Sequence, residues 1–334
     1  MLLILSSPGD THSEAVEEIL ARRGVPFIHW NQASFPESDT VALRYSARGS
    51  VTRSLTTRDA AADLASITTT FVRRHAHPQV LRPAADPNAR AYIESQSRTL
   101  LLATAEMLDC RWVPGTVRSL HFAGDKAWQL RLAPRIGFEI PPTLITNDPD
   151  ELLDFHQQHD GQLICKALGF PHFDALNTAD DRWVFTTQLV GPRDVGYLDS
   201  VRYCPAIFQA YVPKRLELRV TVVGDRVFAC EIHSQDRART RHDWRRYELA
   251  STPHCSHSLP ADVEAMCVRV VAALGLCYGA MDLVLTPDGR YVFLEVNPLG
   301  QYLWIEKLTG MPISDAICDL LEAAEQGAGG MPGD

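Results

Sequence analysis

Residues 292–306 read "VFLEVNPLGQYLWIE", an apolar strand pattern that places a carboxylate, Glu295, and an amide, Asn297, two residues apart. Side chains alternate along a strand, so Phe293, Glu295 and Asn297 are expected on one face and Leu294 and Val296 on the other. A carboxylate in apolar surroundings is costly unless a cation or a hydrogen-bond network receives it. Taken alone, Asn-Pro also reads as a strand entering a polar turn. The residues upstream choose between these readings. In "CYGAMDLVLTPDGRYVFLEVN", 277–297, two alternating runs flank the tight-turn signal Pro287-Asp288-Gly289. Asp282 and Glu295 stand about equally far from that turn, so antiparallel pairing brings them close to opposite each other. Opposed like charges repel. A pair of hard oxygen donors held this way suits Mg²⁺ shared with substrate phosphates.

A chain of 334 residues exceeds one compact core of ordinary size and calls for two or three lobes. Its net charge of -9 argues against non-specific nucleic-acid binding and a polybasic membrane surface. The opening "MLLILSSPGD" lacks a basic segment and reads as a buried first strand; no later run is long enough to span a membrane. Eight cysteines without a C-x-x-C pair read as buried thiols in a reducing cytoplasm. "HCSH", His254–His257, is read as a polar loop without the partner ligands of a closed zinc site.

The first thirty residues pattern as β-α-β, with a helix capped near Thr11 and Ser13 and then the strand "VPFIHW". The Ser-Ser-Pro-Gly loop between them lacks the glycine spacing of a nucleotide fingerprint. A hairpin is expected around Gly49, a strand in "SITTTFVRRHAHP" running into an Arg-Arg pair, and a helix over roughly 88–109. Helical periodicity follows Lys126, "IGFEIPPTLIT" reads as a strand, and "QLICKALG", 162–169, is a strand carrying one lysine, Lys166. "RWVFTTQLV", 182–190, and "PAIFQAYVPKRLELRVTVVGDRVFACEIHSQ", 205–235, continue the alternation into a mostly antiparallel sheet, and "QGAGGMPGD" closes as a disordered tail.

Lys126, Lys166, Asp282, Glu295 and Asn297 together supply what ATP with Mg²⁺ requires: cations for phosphates and oxygen ligands for a metal. Neither a Walker A sequence nor the protein-kinase motifs occur. The order and setting of these residues resemble the ATP-grasp superfamily. "FQAYVPKRLELRVTVVGDRVFACEIHSQ", "DWR" at 243–245, "FLEVNPLGQYLWIE" and "FVRR" at 71–74 are similar to the synthetases that macrocyclise microviridin-type peptides, the graspetides.

The resemblance implies an α/β protein with α+β lobes: an N-terminal α/β pre-ATP-grasp domain over 1–118, a central lobe over 119–208 and a C-terminal antiparallel-sheet lobe over 209–326, before the tail at 327–334. It implies that Lys126 and Lys166 contact ATP phosphates and that Gln209, Tyr211 and Val212 form the adenine hinge. Glu217 would accept from the ribose, Asp282, Glu295 and Asn297 would hold Mg²⁺, and Arg219 would reach the transferring phosphoryl group. Relatives often carry Glu before the hinge aromatic; Ala210 stands there in this chain, leaving backbone contacts to adenine. "DRARTRHDWRR", 236–246, has five arginines and reads either as a solvated loop or as a clamp on an acidic peptide, with Arg245 its candidate contact. Plainer readings accompany these: a strand lysine can run its stem to an edge, and Glu217 with Arg219 can form a surface ion pair.

The implied reaction is phosphorylation of an Asp or Glu side chain of a precursor peptide, then attack by a Ser or Thr hydroxyl or a Lys amine of the same peptide, closing an ω-ester or ω-amide ring. A leader peptide is expected to dock around 182–200, and the enzyme to be a homodimer. His233, Asp243 and Glu306 are candidate general bases. Two alternatives stay open: an ATP-grasp ligase joining a free amino acid or small amine to a carboxylate, and a binding scaffold without turnover.

Overall fold

The structure is a computed structural model and describes residues 1–74, 86–169, 187–236 and 253–327. Leu2–Leu5 form β1, apolar and buried on both faces, as a central parallel strand requires. Thr11–Arg22 form α1, Phe27–Trp30 β2, and β1 and β2 pair in parallel as the β-α-β pattern predicts. The cap of α1 is Asp10 rather than Thr11 or Ser13: its carboxylate accepts from the backbone N–H of His12 and Ser13, while the Ser13 hydroxyl donates back to the Asp10 carbonyl. The expected hairpin is β3 (Thr40–Tyr45) with β4 (Val51–Thr56), extended by β5 (Ala61–Asp63) into a separate antiparallel sheet. Thr69–Val72 (β6) and Arg111–Val113 (β7), separated by α2 (Pro87–Glu106), complete the parallel sheet in the order β2-β1-β6-β7.

Val117–Ala123 (α3) and Lys126–Ile136 (α4) lead to a second sheet. There the predicted proline-marked strand is reduced to β8, Thr143–Thr146, because Pro141 and Pro142 bring no N–H to a ladder. After α5 (Pro149–Gln158), β9 (Leu163–Lys166), β10 (Gln188–Leu189) and β11 (Ala206–Ala210) give the order β10-β9-β11-β8.

The third sheet is antiparallel throughout: β12 (Leu216–Val223), β13 (Arg226–Ile232), β14 (His254–His257), β15 (Tyr278–Leu285) and β16 (Tyr291–Asn297), in the order β14-β13-β12-β15-β16. Helix α6 (Ala261–Ala273) contributes Val263, Cys267, Val270 and Val271 to the core on one face. Asp282 is paired with Glu295, although the register beside the turn, Leu285 with Tyr291, would set it against Leu294.

The expected face alternation of β16 does not hold. Leu283 pairs with Phe293 while Asp282 pairs with Glu295, so Leu294 is an extra residue, a β-bulge. The bulge resets the alternation. Phe293 is fully buried in the core, its ring 5.8 Å from that of Phe138, whereas Glu295 faces the other side of the sheet.

Leu303–Thr309 (α7) and Ile313–Gly327 (α8) return the chain to its beginning. Leu2, Ile4 and Val16 share one core with Val223, Tyr278, Ile313 and Ile317, which welds the first sheet to the third. His12 sits in this seam, its ring edge-on to Tyr302 at 4.9 Å and its Nδ1 accepting from the Leu303 backbone N–H at 3.4 Å. Burial, reinforced by the charge of Arg73, lowers its pKa to about 4. A histidine held neutral stabilises the fold above its unfolded value of about 6.5, and that contribution is lost as pH falls toward 4. Between pH 7 and 4.5 the wild type should therefore lose about 2 kcal/mol more than His12→Gln in urea unfolding; equal pH slopes for the two proteins would contradict this assignment.

Candidate active site

The second and third sheets face each other across a cleft, and its chemistry is concentrated where β15 and β16 pair. The Asp282 and Glu295 carboxylates lie across from one another, and each is met by a cation. Arg219, on β12 opposite Asp282, donates through Nη1 to both Asp282 oxygens at 2.9 and 3.1 Å. Lys126 Nζ lies 3.3 Å from Glu295 Oε2 and donates to the Ala167 carbonyl at 3.1 Å, so one ammonium bridges the two sheets. Lys126 is the first residue of a helix capped by Asp125, which fixes where its side chain leaves the backbone. A buried charge is tolerable only when it is paired; only 5% of Arg219 is exposed.

The cleft wall carries Lys166, Tyr211, Val212, Glu217, Asp282 and Glu295 of the residues expected from the sequence, with Ile164 and Leu294 as apolar surface. Gln209 is not on that wall. It is buried and donates through Nε2 to Thr143 Oγ1 at 3.0 Å, and its Oε1 has no hydrogen-bond partner among the described residues. Ala210, with no long side chain, lies on the wall in its place. Glu217 and Arg219 are not a surface pair either: both are buried, and each has its own partner. Lys214 Nζ lies 2.7 Å from Glu217 Oε1. Burial raises the Glu217 carboxyl above the ordinary carboxylate range, against the pull of the Lys214 charge and hydrogen bond.

Asn297 is opposite Ala280, two positions beyond Glu295, and so takes the same face. Its Cβ flanks Gly300, where an added Cβ would come within 2.3 Å of the Ala280 Cβ and 2.7 Å of Arg219 Nη2. Only glycine lets this loop pass so close to the guanidinium. The loop is further held from two sides: Tyr278, at the start of β15, donates to the Gly300 carbonyl at 2.6 Å, and Arg73, from beside the first sheet, donates to the Leu299 carbonyl. Arg73 and Arg74 both meet Asp10, so the "FVRR" segment connects the cap of α1 to the site loop.

Lys214 was legible as a basic residue three positions before Glu217; Gln129 was not. The Gln129 amide, buried on α4, donates to the Ala123 and Val296 carbonyls at 2.6 and 2.8 Å and accepts from the Val296 N–H at 2.7 Å. It clamps the backbone between Glu295 and Asn297. Of the candidate bases, Glu306 accepts from the Ser314 N–H at 2.6 Å and His233 is bonded to Glu231 at 2.9 Å. Asp243, the "DWR" motif and Arg245 lie outside the described residues.

No protein-family model and no curated protein matches the chain. Solved structures do. The macrocyclase MdnB from Microcystis aeruginosa MRC is 31% identical, with 96% of this chain and 98% of MdnB covered and a TM-score of 0.78. The chain belongs to the ATP-grasp graspetide synthetases. A Chryseobacterium gregarium RiPP-associated ATP-grasp ligase, solved with ADP and a leader and core peptide, is 28% identical at TM-score 0.87, with 96% of each chain covered. MdnC from Microcystis aeruginosa MRC, bound with the precursor peptide MdnA, is 27% identical at TM-score 0.83, covering 96% of this chain and 98% of MdnC. The α/β fold with its antiparallel sheets is that of an ATP-grasp ligase.

In this graspetide synthetase, Gln129→Leu removes the clamp while roughly keeping volume, leaving the Val296 N–H and C=O buried without partners. At about 1–3 kcal/mol for each unsatisfied group, the expected destabilisation is about 2–4 kcal/mol. Urea denaturation measures it; a change below 1 kcal/mol would show that water or another side chain replaces the amide.

Proposed function

We propose that this chain is an ATP-dependent peptide maturase that phosphorylates Asp or Glu side chains of a precursor peptide. It then condenses them with Ser or Thr hydroxyls or Lys amines of the same peptide, forming macrocyclic ω-esters or ω-amides. The observation that carries the reading is the opposed Asp282–Glu295 pair, each carboxylate held by a cation, in a chain that matches peptide macrocyclases over 96% of its length.

The donor set fits Mg²⁺: two carboxylates and an amide oxygen, all hard ligands, on one face of a hairpin. Asp282, Glu295 and Asn297 would hold the ion, which supplies charge neutralisation for the phosphates. Lys126 and Lys166 would bind phosphate oxygens, Lys126 exchanging its contact with Glu295 for the nucleotide. Tyr211 and Val212 would offer backbone groups to adenine, with Gln209 Oε1 a buried acceptor beneath them. Glu217, drawn toward protonation by burial and tied to Lys214, would meet the ribose. Arg219 would stabilise the phosphoryl group in transfer, and Arg245 would contact the acidic core of the peptide.

The bonds balance simply. The substrate carboxylate takes the γ-phosphoryl group and releases ADP; the hydroxyl or amine then attacks the acylphosphate, releasing phosphate and a proton. Alignment and charge neutralisation account for such catalysis without a covalent enzyme nucleophile. Leader docking near 182–200, a homodimer, a cytoplasmic setting and the division at 118/119 and 208/209 belong to the same reading. The exposed Tyr197 and Tyr203, in the helical turn Asp194–Tyr203, would offer the leader an aromatic surface. No helix among the described residues is long and apolar enough to cross a membrane.

Intact-mass analysis of a precursor peptide encoded beside this gene, incubated with protein, ATP and Mg²⁺, should show loss of one water mass per ring. The loss should be absent without ATP, and Glu295→Gln should slow it by 100-fold or more. An unchanged peptide with phosphate release on adding small amines would favour the free-amine ligase instead, and no ATP turnover with either acceptor would favour a scaffold.

A further inference from the structure

A second cluster of reactive side chains lies away from the cleft, where β13 pairs with β14. The "HCSH" segment forms a strand, not the loop expected from the sequence, and its ladder places Cys255 opposite Glu231 and His257 opposite Ala229. Glu231 is in turn opposite Leu218, a core residue, so the cluster occupies the sheet face turned away from Glu217 and Arg219. His233 follows Glu231 by two residues. The partner ligands that "HCSH" lacks in sequence arrive from the neighbouring strand.

Three donor atoms converge there. Glu231 Oε2 lies 2.9 Å from His233 Nε2 and 3.2 Å from Cys255 Sγ, and Sγ lies 3.8 Å from that same Nε2. Donors around a tetrahedral zinc ion, at about 2.0–2.3 Å from the metal, are about 3.3–3.6 Å apart. The observed triangle brackets that spacing, and a point about 2 Å from all three atoms exists near its centre.

The outer contacts are those a ligand carboxylate needs. Glu231 Oε1 is engaged at 2.6 Å by His257 Nδ1, and His257 Nε2 is 3.0 Å from the Tyr291 hydroxyl. A Tyr–His–carboxylate chain of this kind orients the first ligand and fixes the imidazole tautomer. Glu231, His233 and His257 are half-buried, while Cys255 is exposed, leaving solvent access for a fourth ligand.

We propose that Glu231, His233 and Cys255 form a binding site for a zinc ion, distinct from the hard-oxygen site of Asp282, Glu295 and Asn297, with His257 and Tyr291 as positioning residues. Thiolate and imidazole select a borderline transition ion over Mg²⁺, so Mg²⁺ in excess leaves this site to the transition ion. The ion would tie β13 to β14 one position from the end of their ladder, where Ile232 pairs with His254.

The full-length protein, stripped with chelator and kept in millimolar Mg²⁺, is titrated with Co²⁺ as a spectroscopic probe and then with Zn²⁺. One equivalent of Co²⁺ should produce a near-ultraviolet thiolate-to-cobalt band and the visible bands of a four-coordinate site, and Zn²⁺ should displace it. Cys255→Ser should abolish the thiolate band, whereas Cys204→Ser, at the other exposed cysteine, should keep it. His257→Gln leaves all three ligands and should weaken binding by about 10-fold or more. No thiolate band in the wild type, a band that survives Cys255→Ser, or one lost in Cys204→Ser would overturn the site and leave the cluster a hydrogen-bonded network.

Discussion

Two carboxylates placed opposite each other on adjacent strands repel, and the arrangement around Asp282 and Glu295 follows from meeting that repulsion. Arg219 reaches Asp282 from the next strand, and Lys126 reaches Glu295 from the first turn of α4. Arg219 is held in a buried pair with Asp282, whereas the Lys126 side chain is 22% exposed. Lys126 already spans the two sheets through the Ala167 carbonyl, so an arriving anion would find its positive charge at the junction of both walls. A bulge at Leu294 makes this possible by turning Glu295 toward the cleft while Phe293 stays in the core.

The hairpin and the loop after it are braced from three directions, two of the braces coming from distant parts of the chain and one from β15 itself. Gln129 holds the Val296 backbone, Arg73 holds Leu299, and Tyr278 holds Gly300. Because Arg73 also meets Asp10 at the cap of α1, the first sheet takes part in shaping a site to which it contributes no wall. The common core of Leu2, Ile4, Tyr278 and Ile317 makes that support rigid, since close-packed interiors transmit displacement instead of absorbing it.

The two polar constellations on the third sheet differ in chemistry as well as position. The cleft gathers hard oxygen donors with ammonium and guanidinium groups, the requirements of phosphate and Mg²⁺. The opposite face gathers thiol, imidazole and carboxylate, the requirements of a softer ion. Alternation along β12 and β13 keeps them apart, because Glu217 and Arg219 point to one side while Leu218 and its neighbour Glu231 point to the other.

The sequence by itself determined the elements whose signals are local. Leu2–Leu5 reads as a buried strand because four apolar residues run together, and the count of residues on each side of Pro287-Asp288-Gly289 brings Asp282 to within one position of Glu295, the last step being made by the bulge. The candidate site residues on β9, β15 and β16 were legible for the same reason, each being a polar or charged residue in an apolar run that has to be explained. Tertiary structure alone decided what depends on partners remote in sequence. The Leu294 bulge leaves no mark in composition, and Gln129 looks like any polar helix residue until the Val296 backbone is set against it. Gln209 belongs to the hinge motif, yet packing turns its amide to Thr143 beneath the wall. "HCSH" lacks ligands only along the chain; the strand ladder supplies Glu231 and His233 because hydrogen-bonded pairing brings side chains within about 5 Å whatever their separation in sequence.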